Sequence, residues 1–355
     1  MLLVNKMRIM HLLQSNHFSG AENVACQIIK SFGNNHEYEM IYCCPRGDIE
    51  KTLKQMNVNY YLLDSFSKKD VKKAIDIIKP TVIHAHDRTA SLMAAVASKK
   101  IPIVVHMHVN NNKGLKMFVR NCVWTLYSRR YNHVFWVSNS AFDSFPFHKS
   151  LFKKSTILHN VLPVDDVVSK CNLDTNNYSY DVIYCGRLTY QKNPERLMEI
   201  FKLLIKQRPT IKIAVVGSGV YEDFVRDFIV NNSFTDNIDF LGFVENPLKI
   251  IKDSKALLMC SRFEGTPMVV IESQILGTPI VSTPVDGIKE LVKNGYNGFL
   301  CETNDEIVDS LLKLVDKTIN LSPNCFRFSK DFCDYSNYKK TIANTYSILF
   351  ASSNS

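Results

Sequence analysis

The feature that most constrains the fold is a regular alternation of short apolar runs with longer segments of helical periodicity. Apolar runs of this length read as buried strands, and the intervening segments carry apolar residues at helical spacing. Strands that alternate with helices pair in parallel through βαβ crossovers, so the sequence predicts an α/β fold. The predicted strands are 8–13, 38–43, 60–63, 82–85, 103–106, 133–137, 181–185, 212–216, 238–241, 256–259 and 279–282. The predicted helices are 22–32, 49–55, 69–78, 89–98, 194–206, 221–231, 247–252, 269–276 and 305–315.

The alternation stops once, at the polar stretch SKCNLDTNNYS, residues 169–179, whose composition is typical of a linker. We therefore predict two Rossmann-like parallel-sheet domains, 1–168 and 180–330, joined by this linker. Residues 331–355 are predicted to form a helix that either caps the second domain or crosses back to the first. Two doubly wound domains would face each other across a ligand cleft at the carboxyl ends of their strands.

The composition is that of a globular protein, with 46% hydrophobic and 22% charged residues. Ten cysteines are present, but they include no CxxC pair and no zinc spacing, which favours free thiols in a reducing compartment. Lys6 and Arg8 interrupt the apolar start, and no uncharged apolar stretch approaches 20 residues. We expect neither a signal peptide nor a transmembrane helix, and a cytoplasmic location.

The positive charge of the chain is concentrated in its first half. Residues 1–165 hold 22 Lys and Arg against 11 Asp and Glu, whereas the remainder holds 21 against 23. Such asymmetry favours an anionic partner for the first half, such as a membrane surface or a phosphorylated acceptor. A solvated basic surface explains the numbers equally well, so both interpretations stay open.

The stretch YCGRLTYQKNP, residues 184–194, joins a predicted strand to a helix. Gly186 permits a close approach by a ligand, and Arg187 and Lys192 supply two cations beside a helix that starts at Pro194. Cations next to a helix N-terminus suit a diphosphate. The alternative is a pair of surface cations near a loop.

Two further stretches lie at strand ends of the second half. Gly217-Ser218-Gly219 is a GxG turn, a weak signal that need not contact a ligand. In SRFEGTPMVVIE, residues 261–272, Glu264 lies in a loop and Glu272 on the following helix. The first can contact a sugar hydroxyl, the second can hold a ribose, and the amides around 265–268 suit a diphosphate. Equally, Glu264 can be a helix N-terminal anion and Glu272 a buried structural acid.

Taken in order, these motifs resemble those of retaining family 4 glycosyltransferases of the GT-B fold, and most closely those of bacterial exopolysaccharide and capsule biosynthesis. Glu264 and Glu272 reproduce the EX7E motif, and Gly186-Arg187-Leu188 with Lys192-Asn193 resembles the GRL…KN element. FSGAE at 18–22, GFV at 242–244 and GYNGFL at 295–300 fall where that family has its glycine-rich loop, its base-proximal loop and its NGxxGFL turn. The resemblance spans roughly residues 7–315. It departs at Ser19-Gly20, where the family often has Gly-Gly.

The resemblance implies transfer of a hexose or N-acetylhexosamine from a nucleoside-diphosphate sugar, expected to be a UDP-sugar, with retention of configuration. The acceptor would be a glycan or a polyprenyl-diphosphate-linked glycan of surface polysaccharide biosynthesis. It also implies a metal-independent hexosyltransferase with Glu264 and His108 as catalytic residues. The implied donor-binding residues are Gly20, Arg187, Lys192, Gly217, Val244, Gly265, Thr266, Pro267, Met268 and Glu272.

Two histidine pairs, His84-x-His86 followed by Asp87 and His106-x-His108, end apolar runs of the first half. A lone histidine there is usually structural, but strand ends of a Rossmann-like sheet bind ligands. We place His86 and Asp87 on the acceptor side. The HxH spacing can also indicate metal ligation, yet no third and fourth ligands are apparent and no DxD motif occurs. We therefore predict no metal and no other cofactor, with Arg187 and Lys192 in the metal's electrostatic role.

The segment 112–131, NKGLKMFVRNCVWTLYSRRY, mixes basic and aromatic residues on a predicted helix. This composition suits an anionic membrane surface, and would place the protein peripherally at the inner face of the membrane. The alternative is an ordinary helix whose aromatic residues face the core.

Three other functions compete with the glycosyltransferase hypothesis. A UDP-sugar 2-epimerase would share the two-domain fold but convert the donor without an acceptor. A catalytically silent module would bind sugar nucleotides only. A basic nucleic-acid-binding protein would explain the charged first half, but it leaves Glu264, Glu272, Arg187 and Lys192 without a role, and no nucleic-acid motif is present.

Overall fold

The computed structural model describes residues 6–33, 35–108 and 115–354. These residues divide into two compact units. The first contains the described residues up to Asn160 together with those from Ser336 onward, and the second contains Val161–Tyr335.

The first unit is a parallel sheet of seven strands in the order β3-β2-β1-β4-β5-β6-β7. Apolar side chains are buried on both of its faces, for example those of Ile9 and Met10, which are adjacent in the first strand. Its elements are β1 Met7–Leu12, α1 Gly20–Phe32, β2 Tyr38–Pro45, α2 Ile49–Gln55, β3 Tyr60–Leu63, α3 Lys68–Ile78, β4 Val82–His86, α4 Asp87–Ala97, β5 Ile103–Met107, α5 Leu115–Leu126, β6 Tyr131–Trp136, α6 Asn139–Asp143, α7 His148–Leu151 and β7 Ser155–Ile157.

The second unit is a parallel sheet of six strands in the order β10-β9-β8-β11-β12-β13. Two apolar clusters cover it, one containing the buried face of α9 and the other that of α12. Its elements are α8 Val164–Asn172, β8 Val182–Cys185, α9 Pro194–Gln207, β9 Ile213–Val216, α10 Glu222–Asn231, β10 Ile238–Gly242, α11 Leu248–Asp253, β11 Ala256–Met259, α12 Met268–Leu276, β12 Ile280–Ser282, α13 Asp286–Lys289, β13 Gly298–Leu300, α14 Asn304–Val315 and α15 Ser322–Phe332.

The predicted fold class, two Rossmann-like parallel-sheet domains, is confirmed. Every predicted strand is present within a few residues of its predicted bounds. Two edge strands were not predicted, Ser155–Ile157 and Gly298–Leu300. Each is three residues long, too short to show a period of two, and the second lies inside a segment that the sequence marks as a turn.

The predicted linker at 169–179 requires a correction, because its first residues belong to helix α8 of the second unit. Val167 and Cys171, four residues apart, are buried in the apolar cluster against α11 and α12. The polar residues between them form the exposed face of this helix, and in the sequence they resemble a loop. The boundary between the units lies at Asn160–Val161, before α8 rather than after it.

The last helix, α16 Tyr335–Asn354, joins the first unit. Tyr346 is fully buried there, and its hydroxyl lies 2.5 Å from Nδ1 of His84 on β4. Its ring also lies beside Phe32 of α1 and Tyr38 of β2. Of the two positions considered for this helix, the structure shows the one on the first domain.

We expect Tyr346→Phe to lower the free energy of unfolding by about 1–3 kcal/mol, because it leaves a buried ring nitrogen of His84 without a partner. Equilibrium urea unfolding measures the difference. The matched control is Tyr127→Phe, an exposed tyrosine of the same unit, which should change stability by less than about 0.5 kcal/mol. Equal effects of both variants would show that the Tyr346–His84 bond contributes nothing specific.

Candidate functional site

Three of the loops that carry the sequence motifs of the second unit leave the same edge of its sheet, because the carboxyl ends of parallel strands share one edge. β8 leads into 186–192, β9 into the turn at 217–219, and β11 into the loop at 261–267. Strands β8, β9 and β11 are neighbours in the sheet. Three motifs that are distant in sequence therefore form one surface.

Glu264 lies at the centre of this surface and is 4% exposed. Its Oε1 accepts hydrogen bonds from Lys192 Nζ and Ser261 Oγ, each at 2.6 Å. Gln191 Nε2 lies 3.4 Å from Oε2 and donates a stronger bond, 3.0 Å, to the carbonyl of Phe263. The Lys192 and Glu264 side chains are 12% and 5% exposed, so their ion pair is largely shielded from water. Both predicted residues are thus placed in direct contact.

Close backbone packing accounts for the glycines of this surface. A Cβ at Gly217, where φ is +134°, would lie 1.9 Å from the carbonyl oxygen of Gly186. A Cβ at Gly287, on α13, would lie 1.3 Å from the carbonyl oxygen of Gly265. Gly217 and Gly287 thus let neighbouring backbones hold the loops of Arg187 and Glu264 in place.

Arg187 is exposed on the loop after β8. Its backbone is held by Tyr184, whose hydroxyl donates a 3.0 Å hydrogen bond to the Arg187 carbonyl. Among the described residues, the guanidinium has no hydrogen-bond or ion-pair partner, so its donors are available to a ligand. Together with Lys192 it places two cations at the carboxyl edge of β8.

Helix α12 begins directly after the Glu264 loop. Residues Gly265, Thr266 and Pro267 are buried, and Met268 is the first residue of the helix. The first amides of a helix have no partner within it and carry partial positive charge, so this end favours an anion. Val244, after β10, is partly buried against the core under this helix.

Glu272 lies one turn into α12 and is partly buried. Burial raises its pKa to about 7, and the charge of Lys170 opposes the rise in part. A carboxyl group with this pKa changes its charge near neutral pH. Among the described residues its oxygens have no hydrogen-bond partner, which leaves the ribose-binding and structural interpretations of the sequence both open.

Five histidines of the first unit form one buried group, the histidine cluster: His11 on β1, His84 and His86 on β4, His106 on β5 and His108 just after it. Strand register brings them together, since His11 pairs with His84 and His86 with His106. His11 Nδ1 lies 3.1 Å from His86 Nε2, and His86 Nδ1 lies 2.8 Å from His108 Nε2. Their rings pack nearly parallel, with the centroids of His106 and His108 4.4 Å apart.

Burial keeps the histidine cluster neutral. It lowers the pKa of His11 to about 3 and that of His108 to about 4, the latter opposed by the Glu22 carboxylate. It also lowers the pKa of His84, His86 and His106, with repulsion from the neighbouring histidines as a further cause.

The third histidine that the sequence did not reveal is present, which corrects one premise of the prediction that no metal is bound. His11, His84 and His86, and likewise His86, His106 and His108, bring ring nitrogens within 4.8 Å of one another. Two of the nitrogen pairs, at 3.1 and 2.8 Å, are hydrogen-bonded. The absence of a metal therefore stays a prediction.

A cavity of about 240 Å³ opens beside the cluster, at the carboxyl ends of β1 and β4. It is lined by Leu13, Gln14, Ser15, Ala21, Glu22, His86, Asp87 and Thr89. Asp87 adopts φ +64°, and its Oδ1 accepts a 2.8 Å hydrogen bond from the His108 amide. Burial raises the pKa of Asp87 to about 6. Asp87 therefore fixes the start of the loop that carries His108.

The Ser19-Gly20 departure from the family pattern has a local explanation. Ser19 has φ −151°, an extended conformation open to any residue, and its hydroxyl bonds the Glu22 carboxylate. Gly20 is exposed as the first residue of α1, and a Cβ there would meet nothing within 4 Å. The loop geometry therefore does not require glycine at position 19.

The basic and aromatic segment predicted at 112–131 forms α5 and the turn after it, with 112–114 outside the described residues. Trp124 is buried, and its Nε1 donates a 2.7 Å hydrogen bond to Ser91. The opposite side of the helix exposes apolar side chains next to Arg120 and Arg129. These exposed residues are Phe118, Val119, Val123, Leu126 and Tyr127. No helix in the described ranges combines the length and apolar character that crossing a membrane would need.

The sequence analysis did not identify four residues that contribute to the Glu264 surface or to the histidine cluster and its cavity: His11, Glu22, Ser261 and Gly287. A signal existed for His11, because the first and fourth strands of such a sheet are neighbours and each has a histidine near its carboxyl end. Ser261 lies in the quoted stretch 261–272 and bonds Glu264 within the same loop, three residues away, but its role was not predicted. No periodicity or motif marks Gly287, whose role depends on close packing against the separate loop of Gly265.

Two family models match this chain. Residues 172–331 match "Glycosyl transferases group 1", and residues 18–163 match "Glycosyltransferase Family 4". Between them the two models span most of both units. The chain therefore has the GT-B fold of the group 1/family 4 glycosyltransferases and, as a member of that family, is a transferase.

Relatives and solved structures agree with this assignment. The chain is 24% identical to the Escherichia coli UDP-Gal:alpha-D-GlcNAc-diphosphoundecaprenol alpha-1,3-galactosyltransferase, over 90% of this chain and 92% of the relative. It is also 24% identical to the Staphylococcus aureus capsular polysaccharide biosynthesis glycosyltransferase CapH, over 78% and 81%. The crystal structure of Anabaena Alr3699/HepE in complex with UDP-glucose shares the fold, with a TM-score of 0.80, 19% identity, and coverage of 96% and 99%.

The raised pKa of Glu272 predicts how pH affects stability. Between its ordinary pKa of 4.5 and about 7, the unfolded chain releases a proton that the folded chain keeps, so stability falls as pH rises. The side chain of Glu272→Gln does not titrate, so it makes no such contribution to the pH dependence of stability. We expect the variant to gain about 1–2 kcal/mol over the wild type between pH 5 and pH 8 in urea unfolding without ligand.

The matched control is Glu199→Gln, at an exposed position of α9, whose difference from wild type should stay within about 0.5 kcal/mol at both pH values. A Glu272→Gln curve parallel to that of the wild type across this range would contradict the burial argument.

Proposed function

We propose that this glycosyltransferase moves a hexose or N-acetylhexosamine from a UDP-sugar to a glycan or polyprenyl-diphosphate-linked acceptor, with retention of configuration and without a metal. The observation that carries the proposal is the arrangement around Glu264. A shielded carboxylate, a bound lysine, a second cation with available donors and a helix N-terminus share one sheet edge. This set matches the groups of a nucleotide sugar, which combines sugar hydroxyls with a diphosphate.

The names of the relatives support the substrate classes. The E. coli relative is named for UDP-galactose and a diphosphoundecaprenol-linked acceptor, and the S. aureus relative for capsular polysaccharide biosynthesis. The Anabaena protein was crystallised with UDP-glucose. We therefore propose a role in the synthesis of a surface polysaccharide, at the inner face of a membrane where lipid-linked acceptors are found.

The ion pair of Lys192 and Glu264 gives donor binding a defined consequence. A diphosphate beside Arg187 would also attract Lys192, because phosphate oxygens offer the ammonium group a doubly charged partner. When Lys192 turns to the phosphate, Oε1 of Glu264 loses one donor and keeps the Ser261 hydroxyl. The released acceptor position can then take a hydrogen bond from a hydroxyl of the transferred sugar.

Glu272 suits the ribose. An ionised carboxylate can accept hydrogen bonds from both hydroxyls of a ribose, and this carboxylate has no competing partner among the described residues. Since its pKa is raised to about 7, ribose binding would favour the ionised form and draw the proton away. Gly217 and Val244, at the ends of β9 and β10, would border the nucleotide.

The chemistry consists chiefly of stabilising charge on the departing UDP. Each positioned cation or amide is worth about 3 kcal/mol in such a transition state. With its pKa lowered to about 4, His108 is neutral near pH 7 and serves as a hydrogen-bonding group rather than a general base. The leaving phosphate would accept the proton of the attacking hydroxyl on the same face of the sugar, which retains the configuration.

The acceptor is proposed to bind at the first unit. His86, Asp87 and Glu22 line its cavity, and the two carboxyl groups offer hydrogen-bond acceptors to a sugar. The exposed apolar face of α5, flanked by Arg120 and Arg129, would rest on anionic lipid and so bring the cavity near a lipid-linked acceptor.

Nucleotide release from UDP-, GDP- and ADP-sugars in the presence of EDTA tests the donor site. We expect slow release from a UDP-sugar by the wild type, and a loss of about 100-fold in Arg187→Ala and Glu264→Ala. The matched control is Arg226→Ala, at a cation on α10 that pairs with Glu222; it should retain the wild-type rate.

Activity that requires added Mn²⁺ or Mg²⁺ would contradict the metal-independent mechanism. Conversion of the donor sugar into its 2-epimer would identify the protein as an epimerase. Tight binding of nucleic acid without donor binding would identify it as a nucleic-acid-binding protein. No donor binding in calorimetry would overturn the proposal.

Flotation with liposomes tests the lipid-facing role of α5. We expect the wild type to float with anionic vesicles, and Phe118→Ser/Leu126→Ser to bind at least about tenfold more weakly because less apolar area is buried. Leu173→Ser is the matched control, since Leu173 is 79% exposed and Leu126 is 78% exposed. Equal flotation of all three proteins, or flotation of none, would contradict a membrane-binding α5.

A further inference from the structure

Two hydrogen bonds join three histidine rings of the first unit into a chain. His11 Nδ1 bonds His86 Nε2 at 3.1 Å, and His86 Nδ1 bonds His108 Nε2 at 2.8 Å. The three residues come from β1, from β4 and from the position after β5, and they are 0%, 3% and 7% exposed. At the two ends of the chain, His11 Nε2 and His108 Nδ1 are buried and have no partner among the described residues.

The chain permits only two proton arrangements. A neutral imidazole has one N–H and one bare nitrogen, and His86 uses both of its nitrogens in hydrogen bonds. His86 must therefore donate to one neighbour and accept from the other. If it donates to His108, then His108 carries its proton on Nδ1. If it donates to His11, then His108 donates through Nε2, and its Nδ1 is a bare acceptor.

We propose that His11 and His86 are positioning residues that hold the ring plane of His108 and couple its tautomer to that of His86. Both histidines then carry their proton on the same nitrogen, either Nδ1 or Nε2, so the hydrogen-bonding character of His108 Nδ1 does not change on its own. The catalytic part of this inference rests on the proposed function, in which His108 contacts the transferred sugar. The coupling of the three tautomers rests on the hydrogen bonds alone.

The chain couples tautomers and does not conduct protons. An extra proton received at His108 would end on His11, whose pKa of about 3 means that about one molecule in ten thousand carries it at pH 7. The charged group that faces the chain is the Glu22 carboxylate, which raises the pKa of His108, and even so that pKa stays near 4. The Asp87 carboxylate is engaged by the His108 amide.

The same cluster contains a matched control. The His106 ring packs 4.4 Å from His108 and 5.6 Å from His86, centroid to centroid. Neither of its nitrogens has a hydrogen-bond partner among the described residues. Replacement of His106 by phenylalanine thus disturbs the ring packing and leaves the hydrogen-bonded chain intact, whereas His86→Phe keeps a ring and removes both bonds.

The primary experiment is a long-range proton–nitrogen NMR spectrum of the ligand-free protein with ¹⁵N-labelled histidine. Protonated and bare ring nitrogens resonate in separate regions, so the spectrum reads the His108 tautomer directly. We expect His86 and His108 to show the same tautomer in the wild type and in His106→Phe, and a changed or mixed His108 tautomer in His86→Phe and His11→Phe. His11→Asn should restore the wild-type signal, because its amide can occupy the position of Nδ1.

Unchanged His108 signals in His86→Phe, or different tautomers of His86 and His108 in the wild type, would overturn the proposal. A spectrum altered equally by His86→Phe and His106→Phe would show that the rings affect one another only through packing. This result would also overturn the proposal.

Kinetics supplies the second readout. We expect kcat to fall 10- to 100-fold in His86→Phe and His11→Phe at nearly unchanged KM for the donor, and to fall less than threefold in His106→Phe. If the wild type turns over no donor, the proposed function fails, and the NMR result alone decides whether the tautomers are coupled. If the NMR result holds but kcat does not change, the positioning role in catalysis is refuted.

Discussion

Parallel strand pairing is the constraint on which both candidate sites depend. In a parallel sheet every strand ends at the same edge, so residues far apart in sequence meet wherever they follow neighbouring strands. Strands β8, β9 and β11 bring Arg187, Gly217 and Glu264 to one edge of the second unit. The pairing of β1, β4 and β5 stacks the histidine cluster in the first. The chemistry of each unit thus follows from its strand order.

The two units solve the problem of buried polar groups in opposite ways. In the second unit, Lys192 and Glu264 form a shielded ion pair, and Ser261 supplies a further hydrogen bond to the carboxylate. Such a pair has to offset the desolvation of two ions, and it is retained where the charges have a use. In the first unit, the ionisable groups are histidines held neutral, which avoids the cost of buried charge but leaves ring nitrogens without partners. A stable core requires neither a buried ion pair nor a group of buried histidines, because apolar side chains alone can form one.

The sequence predicted most of the fold because strand and helix periods are local properties of the chain. It failed where structure depends on contacts that are distant in sequence. β7 and β13 are edge strands defined by their neighbours rather than by their own pattern. The end of helix α8, from Ser169 onward, was interpreted as part of a linker because polar residues dominate the sequence there. Glu264, Lys192, His86 and His108 were found through motifs, whereas Gly287 acts through packing against a separate loop that no motif marks. The prediction of metal independence remains a proposal.

Neutrality of the histidine cluster also matters for the proposed reaction. A UDP-sugar carries a diphosphate, and any cluster of cations competes for it. If the five histidines were protonated near pH 7, the first unit would offer the diphosphate a second site in addition to Arg187 and Lys192. Burial lowers the pKa of these residues and removes that competitor, while the rings keep their capacity for neutral hydrogen bonds. Arg187 and Lys192 would then be the cations that stabilise the leaving diphosphate, where negative charge develops.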